Sequence, residues 1–212
     1  AGAEQSAIWL TANGSPPPKR VVIADDTIKA DDAYRLACEG TALLWRSDFH
    51  NAKQLLQAIA RRIDAKASER NAKPATITEA FHKNRQTQAQ RANILSMVLI
   101  PLNADLTIPL RRAPDVQQAC SEVFGEIKEA SVMSLRELQG IIGAHEWRKK
   151  GVEIPALGAR IHPHYGVFSP IRGEYLELVA SAPLPAALKQ HSIAFDIGTG
   201  TGVLAAILAK RG

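Results

Sequence analysis

Ile193, Ala194, Phe195, Asp196, Ile197, Gly198, Thr199, Gly200, Thr201, Gly202, Val203, Leu204 is the stretch on which the reading of this chain turns. A short apolar run carries one acid, glycine follows at alternate positions, and a second apolar run continues through Ala209. That order predicts a strand, a tight loop and a buried helix. Gly198 and Gly200 permit backbone angles closed to other residues and, without side chains, let a ligand lie against the main chain. Lys210, Arg211 and Gly212 then read as the end of the helix. Open α/β sheets bind ligands in the crevice at the carboxyl ends of their strands, so Asp196 is placed to attract a cationic group there.

The dinucleotide fingerprint, Gly-x-Gly-x-x-Gly or Ala, would put its third small residue at Val203, which fits poorly and disfavours an oxidoreductase. The pattern present is Asp-x-Gly-x-Gly-x-Gly, from Asp196 to Gly202. S-adenosylmethionine carries both a sulfonium and an ammonium, and at these residues the chain resembles the class I S-adenosylmethionine-dependent methyltransferases. The resemblance extends upstream through His164, Tyr165, Gly166, Val167, Phe168, Ser169, Pro170, Arg172, Gly173 and Glu174 to Leu176, Leu178 and Val179. Here it is similar to the small-domain ribosomal RNA guanine methyltransferases, with a like Gly-Val-Phe-Ser, and to the methyltransferases that modify a glutamine amide of release factors.

The resemblance covers roughly the last quarter of the chain, less than an ordinary domain. It implies that Asp196, Gly198, Thr199, Gly200 and Gly202 line the methionine half of the cofactor, and that Phe168, Ser169, Pro170 and Arg172 close over it. It also implies an acid on the next strand for the ribose and an Asn or Asp before Pro-Pro for the methyl-accepting nitrogen. Neither is in the chain, so no catalytic residue is assigned, and the expectation is the front part of a longer, here truncated, enzyme.

With 212 residues and 46% hydrophobic side chains the chain can bury a real core. A net charge of +5 favours nucleic-acid, ribosomal or acidic-protein partners. From Arg46 to Arg91 there are ten Lys or Arg against four Asp or Glu, an excess that concentrates the positive charge there. This span is the basis of the alternative reading, a non-catalytic RNA- or ribosome-binding helical module. Cys38 and Cys120 lack metal-ligand spacing and form no disulfide framework, which fits the cytoplasm. No apolar run is long enough for a membrane span and no secretory signal stands at the amino end.

Along the chain, Asn13 to Pro18 is a turn or extended segment, and Val21 to Ala24 a short strand or the approach to a helix at Ala30 to Trp45. Ala52, Leu55, Leu56, Ile59, Ala60 and Ile63 share one helical face. A second long helix is expected from about Glu79 to Met97. Val98 to Leu102 and Leu106 to Leu110 then suggest a hairpin, with Pro101 and Pro109 demoting its strands to edges. Further helices are expected after Pro114 and Asp115, ending at Gly125, and after Ser134, where Ser134 and Glu137 form a capping box. Gly151 to Arg160 is a short strand or hairpin. The aspartates at 25, 26, 31 and 32 lack oxygen ligands at loop spacing, and His162 and His164, flanking Pro163, have no acid or cysteine close by and a geometry limited by the proline, so no metal site is assigned.

The expected architecture is therefore α plus α/β. A mainly helical, basic, acceptor-recognising domain spans 1–150, and a Rossmann-like doubly wound cofactor domain begins at 151–212. The expected reaction is methyl transfer from S-adenosylmethionine to a nitrogen of RNA or of a translation protein.

Overall fold

Two continuous apolar runs, Thr41–Trp45 and Val98–Leu102, form the central strands of a mixed sheet, where burial on both faces removes any need for polar alternation. The computed structural model describes residues 6–69, 76–170, 173–185 and 193–211. It divides into two units, Ala1–Ile141 and Ile142–Gly212.

The first unit contains, in chain order, β1 (Ile8–Trp9), β2 (Arg20–Ala24), α1 (Ala30–Cys38), β3 (Thr41–Trp45), α2 (Phe49–Glu69), α3 (Ile77–Leu95), β4 (Val98–Leu102), α4 (Gln117–Phe124) and β5 (Ser131–Ser134). Helix α5 (Leu135–Lys150) begins in this unit. The sheet order is β1-β5-β4-β3-β2. β2, β3 and β4 run parallel, β5 is antiparallel to β4, and β1 is parallel to β5. Parallel neighbours require crossovers, which α1 supplies between β2 and β3, and α2 with α3 between β3 and β4. Leu55, Leu56, Ile59 and Ile63 of α2 are buried, as the helical spacing predicts.

The unit expected to be mainly helical thus carries a five-stranded sheet among its helices. The single helix read over Ala30 to Trp45 ends at Cys38, and Gly40, at φ 76, turns the chain into β3. Val98–Leu102 is a strand, as expected, but it is the middle strand of five rather than half of an edge hairpin, and Leu106 to Leu110 is not a strand. Pro101 is tolerated because the ladder to β3 pairs only Leu43 with Val98 and Leu44 with Leu99, stopping before the residue that has no N–H. Pairing to β5 continues to Leu102.

The capping box does not form. Ser134 is the last residue of β5, and Glu137 instead accepts hydrogen bonds from the Ala12 amide at 2.7 Å and the Thr11 hydroxyl at 3.3 Å. A long-range docking contact replaces the local one.

The second unit pairs β6 (Val152–Ile154) with β7 (Ala159–Ile161) in the expected hairpin, closed by a 3-10 turn at Pro155–Leu157. Helices α6 (Glu174–Ser181) and α7 (Val203–Lys210) follow, and Ile154, Leu176, Val203 and Ile207 form its buried core. The strand expected ahead of the glycines is not formed: Ile193 to Asp196 has no regular structure and Ile197 begins a turn. Ile193, Phe195 and Ile197 are 66%, 86% and 95% exposed. A central parallel strand takes its hydrogen bonds from neighbours on both sides, and no such neighbour is found among the described residues. In none of them is a helix long and apolar enough to cross a membrane.

Candidate cofactor site

The loop between Asp196 and α7 is built from three glycines in the left-handed region, Gly198 at φ 79, Gly200 at φ 55 and Gly202 at φ 74. Successive left-handed turns fold the chain tightly enough for the Gly202 amide to donate to the Thr199 carbonyl at 2.9 Å. The Thr199 hydroxyl donates to the Asp196 carbonyl at 2.7 Å, closing the same loop from its other side. Gly202 is the N-cap of α7, and Val203 behind it is buried in the core of the unit. Apolar packing of Val203 and Ile207 therefore fixes the helix, and the helix fixes the loop.

The structure brings the two sequence-predicted segments together. The Thr201 amide donates to the Phe168 carbonyl at 3.1 Å. A Cβ built at Gly200 would lie 2.8 Å from that carbonyl oxygen and 3.3 Å from the Phe168 Cβ. Gly200 is thus required by a close main-chain approach, whereas a Cβ at Gly198 would meet nothing within 4 Å and would project into open space. Pro170 is buried, and the Ser169 hydroxyl oxygen is buried with no hydrogen-bond partner among the described residues. Arg172 lies outside the described residues.

Asp196 is half-buried, and one of its carboxylate oxygens accepts from the Ala205 amide at 3.2 Å in the first turn of α7. The acid thus ties the loop entrance to the helix and keeps a second oxygen. The N-cap, Gly202, has no side chain, so beyond the Ala205 amide taken by Asp196 the remaining first amides of α7 and the positive end of its dipole suit a carboxylate. Loop space over Gly198, an acid for a cation, a helix start for an anion and an orphaned hydroxyl together fit an amino-acid-like group bearing both charges. Ser169 belongs to the segment named from the sequence, but the burial of its hydroxyl and the Ala205 bond to Asp196 are in no motif pattern and emerge only once the segments are packed.

In the first unit the buried Ser131 and Ser134 hydroxyls also lack partners among the described residues, whereas the polar cluster around Asp48 is closed upon itself. At the carboxyl ends of β2 and β3, the Ser47 hydroxyl donates to Asp26, and Arg112 Nε donates to the buried Asp48 at 2.6 Å. Asp48 also caps α2 through the His50 amide at 2.8 Å, and its carbonyl receives Trp45 Nε1 at 2.9 Å. The hydrogen bond from Arg112, ahead of the His50 amide, holds the Asp48 carboxyl below its usual range although burial opposes this. The arrangement clamps the loop around Arg112 to the β3–α2 junction.

Within the basic span, Arg62 pairs with Asp31 at 2.7 Å, Arg91 with Asp64 at 2.9 Å, and Lys66 lies over the Tyr34 ring. The His162 ring is engaged at 2.6 Å with the Arg148 carbonyl. A cavity of about 610 Å³ in the first unit, bordered by Pro16, Pro17, Cys38 and Met97, includes none of the sequence-predicted site residues.

Comparison with known protein families and with curated proteins finds no match to the chain. The functional reading therefore rests on the residues of the loop and their geometry.

Proposed function

We propose that the chain carries the first cofactor-binding segment of an S-adenosylmethionine-dependent methyltransferase acting on a nitrogen of RNA or of a protein. The observation that carries the reading is the contact of Phe168 with Gly200, which joins the two segments of the resemblance at one loop. When bound, S-adenosylmethionine would supply an electrophilic methyl group. Asp196 would face the ammonium side, the start of α7 the carboxylate, and the open space over Gly198 would receive the methionine chain. Phe168 and Ser169 would border the same mouth, so the protein's contribution here is orientation.

In this reading Ile193 to Ile197 would become a strand of a Rossmann-like sheet, which would cover its exposed apolar side chains. The free thiols Cys38 and Cys120 agree with a reducing, cytoplasmic setting. The alternative binding-module reading loses ground to the internal pairing of Arg62, Arg91 and Lys66, which offsets part of the basic span.

Calorimetric titration with S-adenosylmethionine tests the proposal. Binding by the protein, abolished in Gly200→Val and weakened about tenfold or more in Asp196→Ala, is expected; one decade corresponds to about 1.4 kcal/mol. Absence of binding, or equal binding by both variants, would sink it.

A further inference from the structure

Among the described residues strand β2 is an open sheet edge, and we propose that it pairs with β2 of a second copy of this chain in antiparallel, two-fold symmetric fashion. Edges of this kind are normally blunted by proline, lysine, bulges or a covering element. Here Val21, Val22 and Ile23 are 49%, 39% and 74% exposed, and none of these blunting residues lies within Arg20–Ala24. The strand's one charged residue, Arg20, is tied back to the Glu39 carbonyl at 2.7 Å.

The main chain selects the register. The Arg46 amide donates to the Ala24 carbonyl at 2.9 Å, so Ala24, Val22 and Arg20 turn their backbone groups toward β3. Val21 and Ile23 turn theirs outward. Two such edges satisfy one another when Val21 of each copy lies opposite Ile23 of the other and Val22 lies opposite Val22 on the axis.

This register is chemically self-complementary. On one face Val21 meets Ile23, and on the other the two Val22 side chains meet, giving β-branched cross-strand pairs on both faces. Beyond them, Lys19 of one copy falls opposite Asp25 of the other, twice by symmetry, so opposite charges close both ends. Shifting the register by one residue loses the reciprocal hydrogen bonds. The same surface patch thus supplies both halves of the interface, which favours a second copy over an unrelated extended segment.

Light scattering over increasing protein concentration should show the mass rising from 22.9 kDa toward twice that value. Val22→Lys, which sets two ammonium groups across the axis, should return the protein to monomer with unchanged circular dichroism. Lys19→Glu or Asp25→Lys alone should weaken association roughly threefold to thirtyfold, and the two together should restore it. In a Cys38→Ser background, Val22→Cys should oxidise to a linked dimer, since facing residues of a non-hydrogen-bonded pair lie about 4.5 Å apart at Cα. A monomer up to about 1 mM, a dimer indifferent to Val22→Lys, or failure of the charge exchange to rescue would each overturn the proposal.

Discussion

Gly198 and Gly200 sit two residues apart in one loop, yet alanine should affect them differently. At Gly200 the added Cβ would collide with the Phe168 carbonyl oxygen, a main-chain atom that cannot swing aside, and φ 55 adds conformational strain. Gly200→Ala should therefore destabilise the second unit by about 1–3 kcal/mol. At Gly198 the Cβ would enter open space, so Gly198→Ala should cost only about 1 kcal/mol through its positive φ while obstructing a ligand. Thermal unfolding beside calorimetry separates the two: a large stability loss from Gly198→Ala, or undiminished ligand binding by it, contradicts this account. Asp48 offers a residue-level test in the other unit. Its native carboxyl is held below its ordinary value, first by the Arg112 hydrogen bond. The unfolded chain, with a pKa near ~3.9, therefore binds the proton more readily. The stabilisation is complete above that pH and is lost as pH falls through the lowered native value. Urea midpoints from pH 6 to pH 3 should show the deficit of Asp48→Asn shrinking with acidification, and a deficit independent of pH would remove the ion pair from the explanation.

At the level of elements, β5 shows how a short strand can escape the sequence yet hold the sheet. Ser-Val-Met-Ser at 131–134 has serine at both ends and too few residues for a periodicity to register, but it bridges β4 and β1 and buries Met133 completely. Met133→Ala should cost about 2–5 kcal/mol, checked by equilibrium unfolding, and a loss below about 1 kcal/mol would mean that the sheet closes without it. Helices α2 and α4 were readable because their apolar spacing and, for α4, the terminating Gly125 are local properties. β3 was misread as a helix end because Thr-Ala-Leu-Leu-Trp has no period and only its neighbours decide its conformation. Glu137 was misassigned for a similar reason: the sequence shows a serine three residues before it, but not the Ala12 amide that takes its carboxylate. The glycine loop was legible in advance since its left-handed turns admit few other residues. Its contact with Phe168, more than thirty residues upstream, was suggested only by resemblance.

For the whole molecule, the distribution of buried side chains sets how the two units respond to denaturant and ligand. Ala1–Ile141 buries two central strands and the faces of α1 and α2, whereas Ile142–Gly212 rests on Ile154, Leu176, Val203 and Ile207. A small core leaves little margin against chain entropy, so the second unit should unfold at the lower denaturant concentration. Trp9 and Trp45 lie in the first unit and Trp147 in the second. In a Trp147→Phe background tryptophan fluorescence therefore follows the sheet alone, while circular dichroism follows both. Leu176→Ala should move only the earlier transition, and Leu43→Ala, in the middle of β3, only the later one, each by about 2–5 kcal/mol. A ligand that binds the native glycine loop stabilises the unit containing it by about 2.7 kcal/mol at a hundred times its Kd. S-adenosylmethionine should thus raise the circular-dichroism transition that Leu176→Ala lowers and leave the fluorescence transition in place. A single coincident transition would refute the division of stability, and a shift confined to the sheet unit would put the ligand somewhere other than the loop from Asp196 to Gly202.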